Sequence, residues 1–387
     1  MEINEWCERI LFGSSWEDKL CKLDHYEDSV RNEFTLPLFP GRPYGLGLNE
    51  WNQRETTSFR EVGKFHSEKE RGLVLHFFAN HELLAVELMA LAILKFQDAP
   101  VNFRRGVVQT LKDEQQHVRM YRKRMAEIGV EFGQIPVSDY FWRTLKSMQS
   151  PKDFVTGLSM TLEQANLDYS LHYARIYEKI QDTDTANVLR KIYKDEIGHV
   201  KHGLIWFNKW RNDSSNTWKS YLEALPKPLS PSRAKGIGYN RDGRLKAGFS
   251  NQFIDELEVY SRSRGRRPDV YWFNGNCEEE ITNSLSHQTT AKQIKQLERD
   301  LRALPTLLCK KDDIVLIEKK PSINFLKKLS RSGFNLPEYV EYENMKKLRS
   351  WKSGSIHELK PWGWNPQSEA FLQPLAEYTG QHRPIKW

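Results

Sequence analysis

The chain has few cysteines, no basic leader and no long unbroken apolar run, and each absence excludes a class of protein. Only 4 of its 387 residues are cysteine, and none forms a Cys-x-x-Cys pair. We therefore expect buried thiols rather than a disulfide framework, a zinc ribbon or an iron–sulfur cluster. No apolar run approaches a membrane span, and the acidic first residues do not fit a signal or transit peptide. We expect a cytoplasmic protein without membrane contact.

The composition is that of an ordinary globular protein, with 39% hydrophobic and 28% charged residues. A length of 387 residues predicts two domains, each able to bury a core. The net charge of +7 is modest, and much of it lies between residues 227 and 267. Such a run is more typical of a solvated linker than of a nucleic-acid contact, so nucleic acid is a less favoured partner.

The first part of the chain has the pattern of a helical bundle. Residues 1–60 are irregular, but from residue 66 onward the apolar residues recur with a helical period. Four long helices are predicted near 66–97, 101–128, 152–180 and 183–212. Short links join the first to the second and the third to the fourth, and a longer connection separates the two pairs. This connectivity is typical of a ferritin-like four-helix bundle.

The C-terminal part alternates between strand and helix patterns. Strands are predicted at 269–274, 313–320 and 337–343, with helices near 286–303 and 323–333. This alternation indicates a small α/β unit from about residue 268. It contains neither a Gly-x-Gly-x-x-Gly fingerprint nor a Walker-type loop. The predicted fold is therefore mainly α: a ferritin-like four-helix bundle domain over 1–265, with an N-terminal extension and a basic linker, and a smaller α/β domain over 266–387.

Two helices repeat one short motif, "DEQQHV" at 113–118 and "DEIGHV" at 195–200. A chain of this composition is expected to contain about one Glu-x-x-His by chance. The longer Asp-Glu-x-x-His is much rarer, so two copies are improbable by chance. Residues i and i+3 share a helix face, so each motif can present a carboxylate and an imidazole to one point. Both glutamates fall on the apolar stripes of their helices, where an unpaired carboxylate is costly. A cation is therefore expected between these helices.

The other two helices each offer one glutamate. Glu82 lies on an apolar stripe of the first helix, and nearby Glu87 on a more polar face is the alternative. Glu163 lies on a small, apolar face of the third helix. Glu82 precedes Glu114 by 32 residues and Glu163 precedes Glu196 by 33, as if one hairpin were used twice.

These spacings predict one cage for two metal ions. Its expected ligands are Glu82, Glu114, His117, Glu163, Glu196 and His199. Four carboxylates and two neutral imidazoles balance two divalent ions. Mixed oxygen and nitrogen ligands suit iron better than zinc, and manganese or a mixed iron–manganese pair is the alternative.

Three further residues near the motifs have two interpretations each. Asp113 and Asp195 lie four residues before each motif histidine, and either orient its imidazole N–H or face solvent. His202 follows His199 by three residues, and its angular position lies away from the buried stripe of the fourth helix. A surface histidine is therefore favoured over an added ligand.

At this point the residues resemble a known family. "NHELLAVELMALAILKF", "DEQQHVRMYRKRM", "DYFW" and "DEIGHVKHG" resemble the ferritin-like proteins of the domain-of-unknown-function 455 (DUF455) group, which is grouped with the MiaE-like tRNA-modifying diiron hydroxylases. The resemblance extends from "NEWCERIL" through "PLSPSRAKG" to "AGFSNQFIDEL", over about residues 1–265. The family order of Glu, Glu-x-x-His, Glu, Glu-x-x-His falls on the six expected ligands without a gap. It implies a diiron-type bundle.

A second resemblance concerns the C-terminal part. "SINFLKKLSRSGFNLPEYVEYE" and "LKPWGWNP" are similar to the domain that precedes the catalytic lobes of ATP-grasp ligases. This similarity implies a separate ATP-grasp ligase as partner, with no productive ATP binding by this chain.

The expected function is that of a dinuclear non-haem iron oxidase or oxygenase. It would use dioxygen and an external reductase to oxidise a small-molecule or peptide-type substrate. Two alternatives remain: a metal-stabilised scaffold without catalysis, and a MiaE-like tRNA hydroxylase, which the family grouping and the basic segment favour.

Overall fold

The computed structural model describes residues 1–29, 31, 33–48, 67–211, 216–258, 267–275, 277, 296, 298–310, 312–345 and 356–379. The chain divides into two compact units. The first comprises Met1–Pro226 with Asp242–Gly248, and the second comprises Lys227–Arg241 with Phe249–Trp387. The predicted domain boundary after residue 265 falls outside the described residues and stays a prediction.

The first unit is built from helices. They are α1 (Ile3–Phe12), α2 (Trp16–Lys19), α3 (Glu68–Lys95), α4 (Val101–Glu127), α5 (Tyr140–Leu145), α6 (Pro151–Phe154), a π-helix (Val155–Glu163), α7 (Gln164–Lys179), α8 (Thr183–Trp210) and α9 (Thr217–Ala224). The four long helices of the prediction are confirmed, with α3 packed on α4, α7 on α8 and α4 on α8. A mainly α fold with a small α/β part is thus confirmed.

Helix α3 is a largely buried, strongly apolar helix of this bundle. It begins at Ser67, whose side chain accepts from the Glu70 amide while the Glu70 carboxylate accepts from the Ser67 amide. Among the described helices it is the one long and apolar enough to cross a membrane, with a mean hydropathy of 1.6 over 18 residues. The expectation that no segment reaches this length was therefore wrong. Since 89% of that window is buried inside the structure, its apolarity serves the core.

A hydrophobic cluster fills the bundle beside the candidate site. It draws on α3, α4, α7 and α8, and includes Leu75, Phe78, Tyr121, Met125, Tyr173, Tyr177, Leu189 and Ile192. Phe78, Tyr121 and Ile192 lie one to two turns from Glu82, Glu114 and Glu196 on the same helix faces, so packing sets the orientation of these glutamates.

The third long helix differs from the prediction in its middle. Residues Val155–Glu163 are π-helical, and every residue of that segment is buried. Thr161 Oγ1 donates to the Thr156 carbonyl oxygen at 2.7 Å, five residues earlier. Gly203 on α8 allows close packing here, because a Cβ there would lie 2.3 Å from Ser159 Cβ. The π-helix ends at Glu163, and such segments are frequent at functional sites.

Two segments expected to be irregular are folded. In residues 1–60, helix α1 places Ile3, Trp6 and Ile10 with no exposed surface and packs on α3. The basic segment 227–267 was interpreted as a solvated linker, but its described part forms helices α10 (Arg241–Ala247) and α11 (Asn251–Glu258). The linker interpretation was wrong because the charges alternate with buried apolar residues, Phe253 and Ile254 among them.

Helix α10 returns part of the basic segment to the first unit. Arg244 donates to both carboxylate oxygens of Asp168 on α7, at 2.6 and 2.9 Å, and both side chains are fully buried. A bidentate Arg–carboxylate pair of this kind fixes the relative orientation of the two side chains and also pairs their charges.

The second unit contains a parallel four-stranded sheet in the order β3-β2-β1-β4. The strands are β1 (Asp269–Trp272), β2 (Ile314–Ile317), β3 (Glu338–Glu341) and β4 (Glu358–Pro361), with α12 (Ile323–Arg331) between β2 and β3 and α13 (Pro366–Ala376) after β4. The three predicted strands are confirmed, and so is the helix near 323–333. The fourth strand was missed. Most of the helix predicted near 286–303 lies outside the described residues.

Candidate metal centre

The structure brings all six expected ligands together inside the bundle. Glu82 comes from α3, Glu114 and His117 from α4, Glu163 from the end of the π-helix, and Glu196 and His199 from α8. All six are 0–3% exposed. They form two overlapping groups whose ligand atoms lie within 4.8 Å of one another: Glu82, Glu114, His117 and Glu196 in one, and Glu114, Glu163 and His199 in the other. Glu114 belongs to both groups.

Glu114 lies between the two histidines. Its Oε1 is 3.0 Å from His199 Nδ1, and its Oε2 is 3.4 Å from His117 Nδ1. Glu82 Oε2 lies 3.5 Å from His117 Nδ1, and Glu196 Oε2 lies 3.6 Å from His199 Nδ1. The two imidazole rings are 5.7 Å apart. Each Nδ1 thus faces the carboxylates, and one oxygen of Glu114 faces each histidine.

The outward nitrogens of the imidazoles contact the motif aspartates across the helix pair. His117 Nε2 on α4 lies 3.1 Å from Asp195 Oδ2 on α8, and His199 Nε2 on α8 lies 3.3 Å from Asp113 Oδ2 on α4. The aspartates therefore contact imidazoles, but each contacts the histidine of the other motif. Spacing along one helix does not reveal this crossing, because it depends on how α4 and α8 face each other. A carboxylate at Nε2 leaves Nδ1 as the lone-pair nitrogen for a metal.

Burial strongly perturbs the carboxylates. Burial raises the pKa of Glu163 from its ordinary 4.5 to about 8, and the nearby Glu196 carboxylate adds to the increase. Burial, reinforced by Glu114, also raises the pKa of Glu82 well above its usual range. Burial opposes ionisation of Glu114 too, but Glu82 and the two imidazoles hold the pKa of Glu114 well below its usual range.

Both imidazoles are pushed toward their charged form. Burial alone would lower the pKa of His117, but Glu114 and Asp195 raise it well above the ordinary value. The pKa of His199 is raised in the same way by Asp113 and Glu114, against the effect of burial. Without a metal, protons neutralise Glu82 and Glu163 and give the histidines a positive charge, and together they offset the negative charge of the clustered carboxylates.

The pattern of unpartnered atoms tests whether a metal fits. Buried polar atoms in folded proteins are almost always hydrogen-bonded. In the described chain, seven buried side-chain atoms of this cluster have no hydrogen-bond partner: both oxygens of Glu114, both of Glu163, Glu196 Oε2, His117 Nδ1 and His199 Nδ1. All seven are ligand-type oxygens and nitrogens of the two groups, while the outward nitrogens are engaged. The residues therefore fit metal ions, and these clusters can hold them.

Sequence reasoning missed one polar residue at the site. Asn166 Nδ2 on α7 donates to Glu196 Oε1 at 2.9 Å. Asn166 follows Glu163 by three residues, the spacing at which His117 follows Glu114. This repeated spacing was the signal that could have identified it.

Two candidates lie away from the cluster. Glu87, the alternative to Glu82, accepts from Arg42 Nη2 at 2.7 Å and lies 3.1 Å from Lys19 Nζ. It belongs to a separate buried ion cluster because its helix face points toward the N-terminal segment. His202 is half-buried rather than a surface residue, and it stacks on Phe103 with ring centroids 5.8 Å apart.

Comparisons with known proteins match the part of the chain that contains the metal-ligand cluster. A relative from Haemophilus influenzae, named "Uncharacterized protein", is 22% identical over 248 residues, which cover 61% of this chain and 81% of the relative. No solved structure matches the chain. The family described as "Protein of unknown function (DUF455)" matches residues 11–255, which include all six clustered Glu and His residues. Since this match covers more than half of the chain, the protein belongs to the DUF455 family.

Proposed function

We propose that the protein is a dinuclear iron oxidase or oxygenase of the cytoplasm, which uses dioxygen to oxidise a small-molecule or peptide-type substrate. One observation carries the proposal: seven unpartnered ligand atoms from five buried residues converge in the described chain, while carboxylates engage both outward imidazole nitrogens. A purely structural core would leave few buried polar atoms unsatisfied. Ligand groups oriented in this way are ready to bind metal ions.

The ligand set favours iron. Four carboxylates and two imidazoles form the two groups. This mixture of oxygen and nitrogen ligands suits iron or manganese, whereas zinc sites use fewer and softer ligands. Two divalent ions would neutralise the carboxylates, and manganese or a mixed pair is the alternative occupant. When bound, the iron ions would supply the reduction of dioxygen and the oxidation of the substrate.

The residues of the chain would hold the metal and keep the site dry. Glu114 is placed to serve both ions, because its two oxygens face different histidines. Asp113 and Asp195 would fix the imidazoles with Nδ1 directed inward. The cluster beside the site, with Phe78 and Tyr121, excludes water from one end. Exclusion of water protects a reactive centre from side reactions.

The proposal includes partners that the chemistry requires. The four cysteines are free and buried, and they are too far apart in sequence for a cluster-binding motif, so electrons would come from an external reductase. An ATP-grasp ligase acting on the same substrate is proposed as a partner of the α/β unit. A tRNA base is the rival substrate.

Metal analysis followed by oxygen consumption tests the proposal. The protein is purified without added metal and its metal content is measured by mass spectrometry, and then ferrous-loaded protein is exposed to dioxygen. About two iron ions per chain and rapid oxygen uptake with a reductant are expected. Less than about half an equivalent of transition metal after anaerobic ferrous loading would overturn the proposal. Full loading without oxygen uptake would instead favour the metal-stabilised scaffold.

Metal binding is expected to release protons. The raised pKa values keep Glu82, Glu163 and both histidines protonated near neutral pH, and ligation requires their removal. Apparent affinity for Mn²⁺ should therefore improve by roughly tenfold per pH unit for each proton displaced, with the Glu163 contribution levelling off above about pH 8. Calorimetric titration in buffers of different ionisation enthalpy measures the proton count. A pH-independent affinity between pH 6 and 8 would contradict this expectation.

The same pKa shifts make the stability of the metal-free protein depend on pH. Glu163 binds its proton more tightly in the folded chain, with a pKa of about 8, than in the unfolded chain, where it is about 4.5. Its contribution is fully present below pH 4.5 and is lost as the pH rises through 8. The melting temperature of the metal-free protein, relative to that of the loaded protein, should therefore fall from pH 5 to pH 8.

Replacing Asp195 by asparagine tests the crossed contacts. The variant keeps the size of the side chain but removes the charge beside His117 Nε2. Loss of such a carboxylate typically weakens metal binding by about 10- to 100-fold, and we expect this loss for Mn²⁺ in a calorimetric titration. Lys194→Ala, an exposed position on the same helix, serves as the control. Equal affinity in Asp195→Asn and the control would exclude a role for this contact.

A further inference from the structure

The two halves of the bundle repeat the same order of ligands, and one difference between them is a polar side chain beside the ligands. The repeated pairs are Glu82 with Glu163, Asp113 with Asp195, Glu114 with Glu196, and His117 with His199. The residue three after Glu163 is Asn166, whereas the residue three after Glu82 is Ala85. Ala85 is 4% exposed and has no side-chain donor.

This difference gives the two motif glutamates different surroundings. Asn166 Nδ2 donates to Glu196 Oε1 at 2.9 Å, so one oxygen of Glu196 is held. Glu196 Oε2 is left without a hydrogen-bond partner, whereas both oxygens of Glu114 lack one. A carboxylate anchored through one oxygen has lost the rotation that would let both oxygens face metal ions equally.

The distances agree with this asymmetry. Glu114 directs Oε1 to His199 at 3.0 Å and Oε2 to His117 at 3.4 Å. Glu196 has one free oxygen, 3.6 Å from His199 Nδ1. The two ligand groups also differ in size, with four residues in one and three in the other, and Glu114 in both.

We propose that Asn166 is a positioning residue that makes the two metal positions inequivalent: it anchors Glu196 through Oε1, so that of the two motif glutamates only Glu114 would have both oxygens free for metal ions. This inference rests on the proposed dinuclear centre and adds to it. The position held by Glu114, Glu163 and His199 has fewer protein ligands. An ion held there would therefore keep more open coordination sites for an external ligand.

Metal titration and iron spectroscopy of Asn166→Ala test the inference without an activity assay. Calorimetric titration of the wild-type full chain with Mn²⁺ is expected to show two steps that differ by about tenfold or more in affinity. Mössbauer spectra of protein loaded anaerobically with ⁵⁷Fe²⁺ are expected to show two quadrupole doublets of equal area. In Asn166→Ala the affinity steps converge to within about threefold, and the doublets move together, because Glu196 regains the freedom of Glu114.

Controls and further outcomes keep this inference separate from the function it rests on. Asn166→Ser, whose side chain is too short to reach Glu196, should behave as Asn166→Ala does and provides a second variant. Arg175→Ala, exposed on the same helix, should match the wild type. Two equal steps and one doublet in the wild type would overturn the inference while leaving the dinuclear centre intact. Two unequal steps and separate doublets that persist in both Asn166 variants would also overturn it. A wild type that binds no metal would overturn the proposed function itself.

Discussion

Glu114→Ala should abolish binding of both metal ions, whereas Glu163→Ala should abolish binding of one. Glu114 belongs to both ligand groups, and its oxygens lie 3.0 and 3.4 Å from the two inward imidazole nitrogens. Glu163 belongs only to the group with His199. Without Glu114, each ion loses an anionic ligand and the group shared between them. Metal affinity depends on the full ligand count, so the loss is expected to be nearly complete.

The measurement is metal content after anaerobic ferrous loading and desalting. We expect about two iron ions per chain in the wild type, about one in Glu163→Ala and close to none in Glu114→Ala. Gln116→Ala, exposed on α4 between the two motif ligands, is the matched control and should retain about two. Circular dichroism must show that every variant keeps its helices. Equal metal loss in Glu114→Ala and Glu163→Ala would contradict the shared role of Glu114.

Much of the bundle could be predicted because its helices bury one stripe each. Apolar residues recurring every three or four positions mark such helices, and the C-terminal ends of all four predicted ranges lie within two residues of the observed ends. The π-helix Val155–Glu163 could not be predicted, since a fully buried segment has no polar face to show its period. The edge strand Glu358–Pro361 was missed because it is short and ends in proline, which interrupts a strand pattern.

Sequence reasoning could predict the parts of the site that depend on residue spacing within one helix. It could not predict the contacts that depend on how two helices face each other. Glu-x-x-His places both ligands on one face of α4 and of α8, so their convergence follows from the sequence. The crossed contacts of Asp113 and Asp195 depend on the facing of α4 and α8. The contact of Asn166 with Glu196 likewise joins α7 to α8.

The choice between Glu82 and Glu87 shows how far a helical face can be predicted. The apolar stripe favoured Glu82, and the structure places Glu82 among the clustered ligand residues. Glu87 lies on the more polar face, and its partners come from a distant segment. Lys19 and Arg42 lie far from Glu87 in sequence, in a region without helical or strand period strong enough to predict their positions.

Replacing Glu87 by glutamine should destabilise the fold without removing metal. Glu87, Lys19 and Arg42 have fully buried side chains, with contacts of 3.1 Å to Lys19 and 2.7 Å to Arg42. Burial already lowers the pKa of Lys19, against the effect of Glu87. Loss of the single carboxylate leaves two buried cations without their counter-charge. Breaking a buried pair from one side typically costs about 3–5 kcal/mol, and we expect the free energy of unfolding to fall by that amount.

Glu82→Gln provides the reciprocal comparison on the same helix. The pKa of Glu82 is raised well above its usual range, so a neutral amide resembles the protonated acid of the metal-free chain. We expect the free energy of unfolding of the metal-free protein to change by about 1 kcal/mol or less. Metal binding should nevertheless be lost at the position that Glu82 serves. Chemical denaturation and metal analysis of the two variants should therefore give opposite results.

Two further variants show whether charge or packing accounts for the Glu87 result. Glu68→Gln, exposed at the start of α3, should leave stability unchanged. The triple replacement Lys19→Met, Arg42→Met and Glu87→Leu buries no charge, and it should recover much of the stability lost in Glu87→Gln. Full metal loading of both the triple and the single variant would confirm that the buried ion cluster supports the fold beside the metal centre. Loss of metal from Glu87→Gln with unchanged stability would instead show that Glu87 acts on the centre itself.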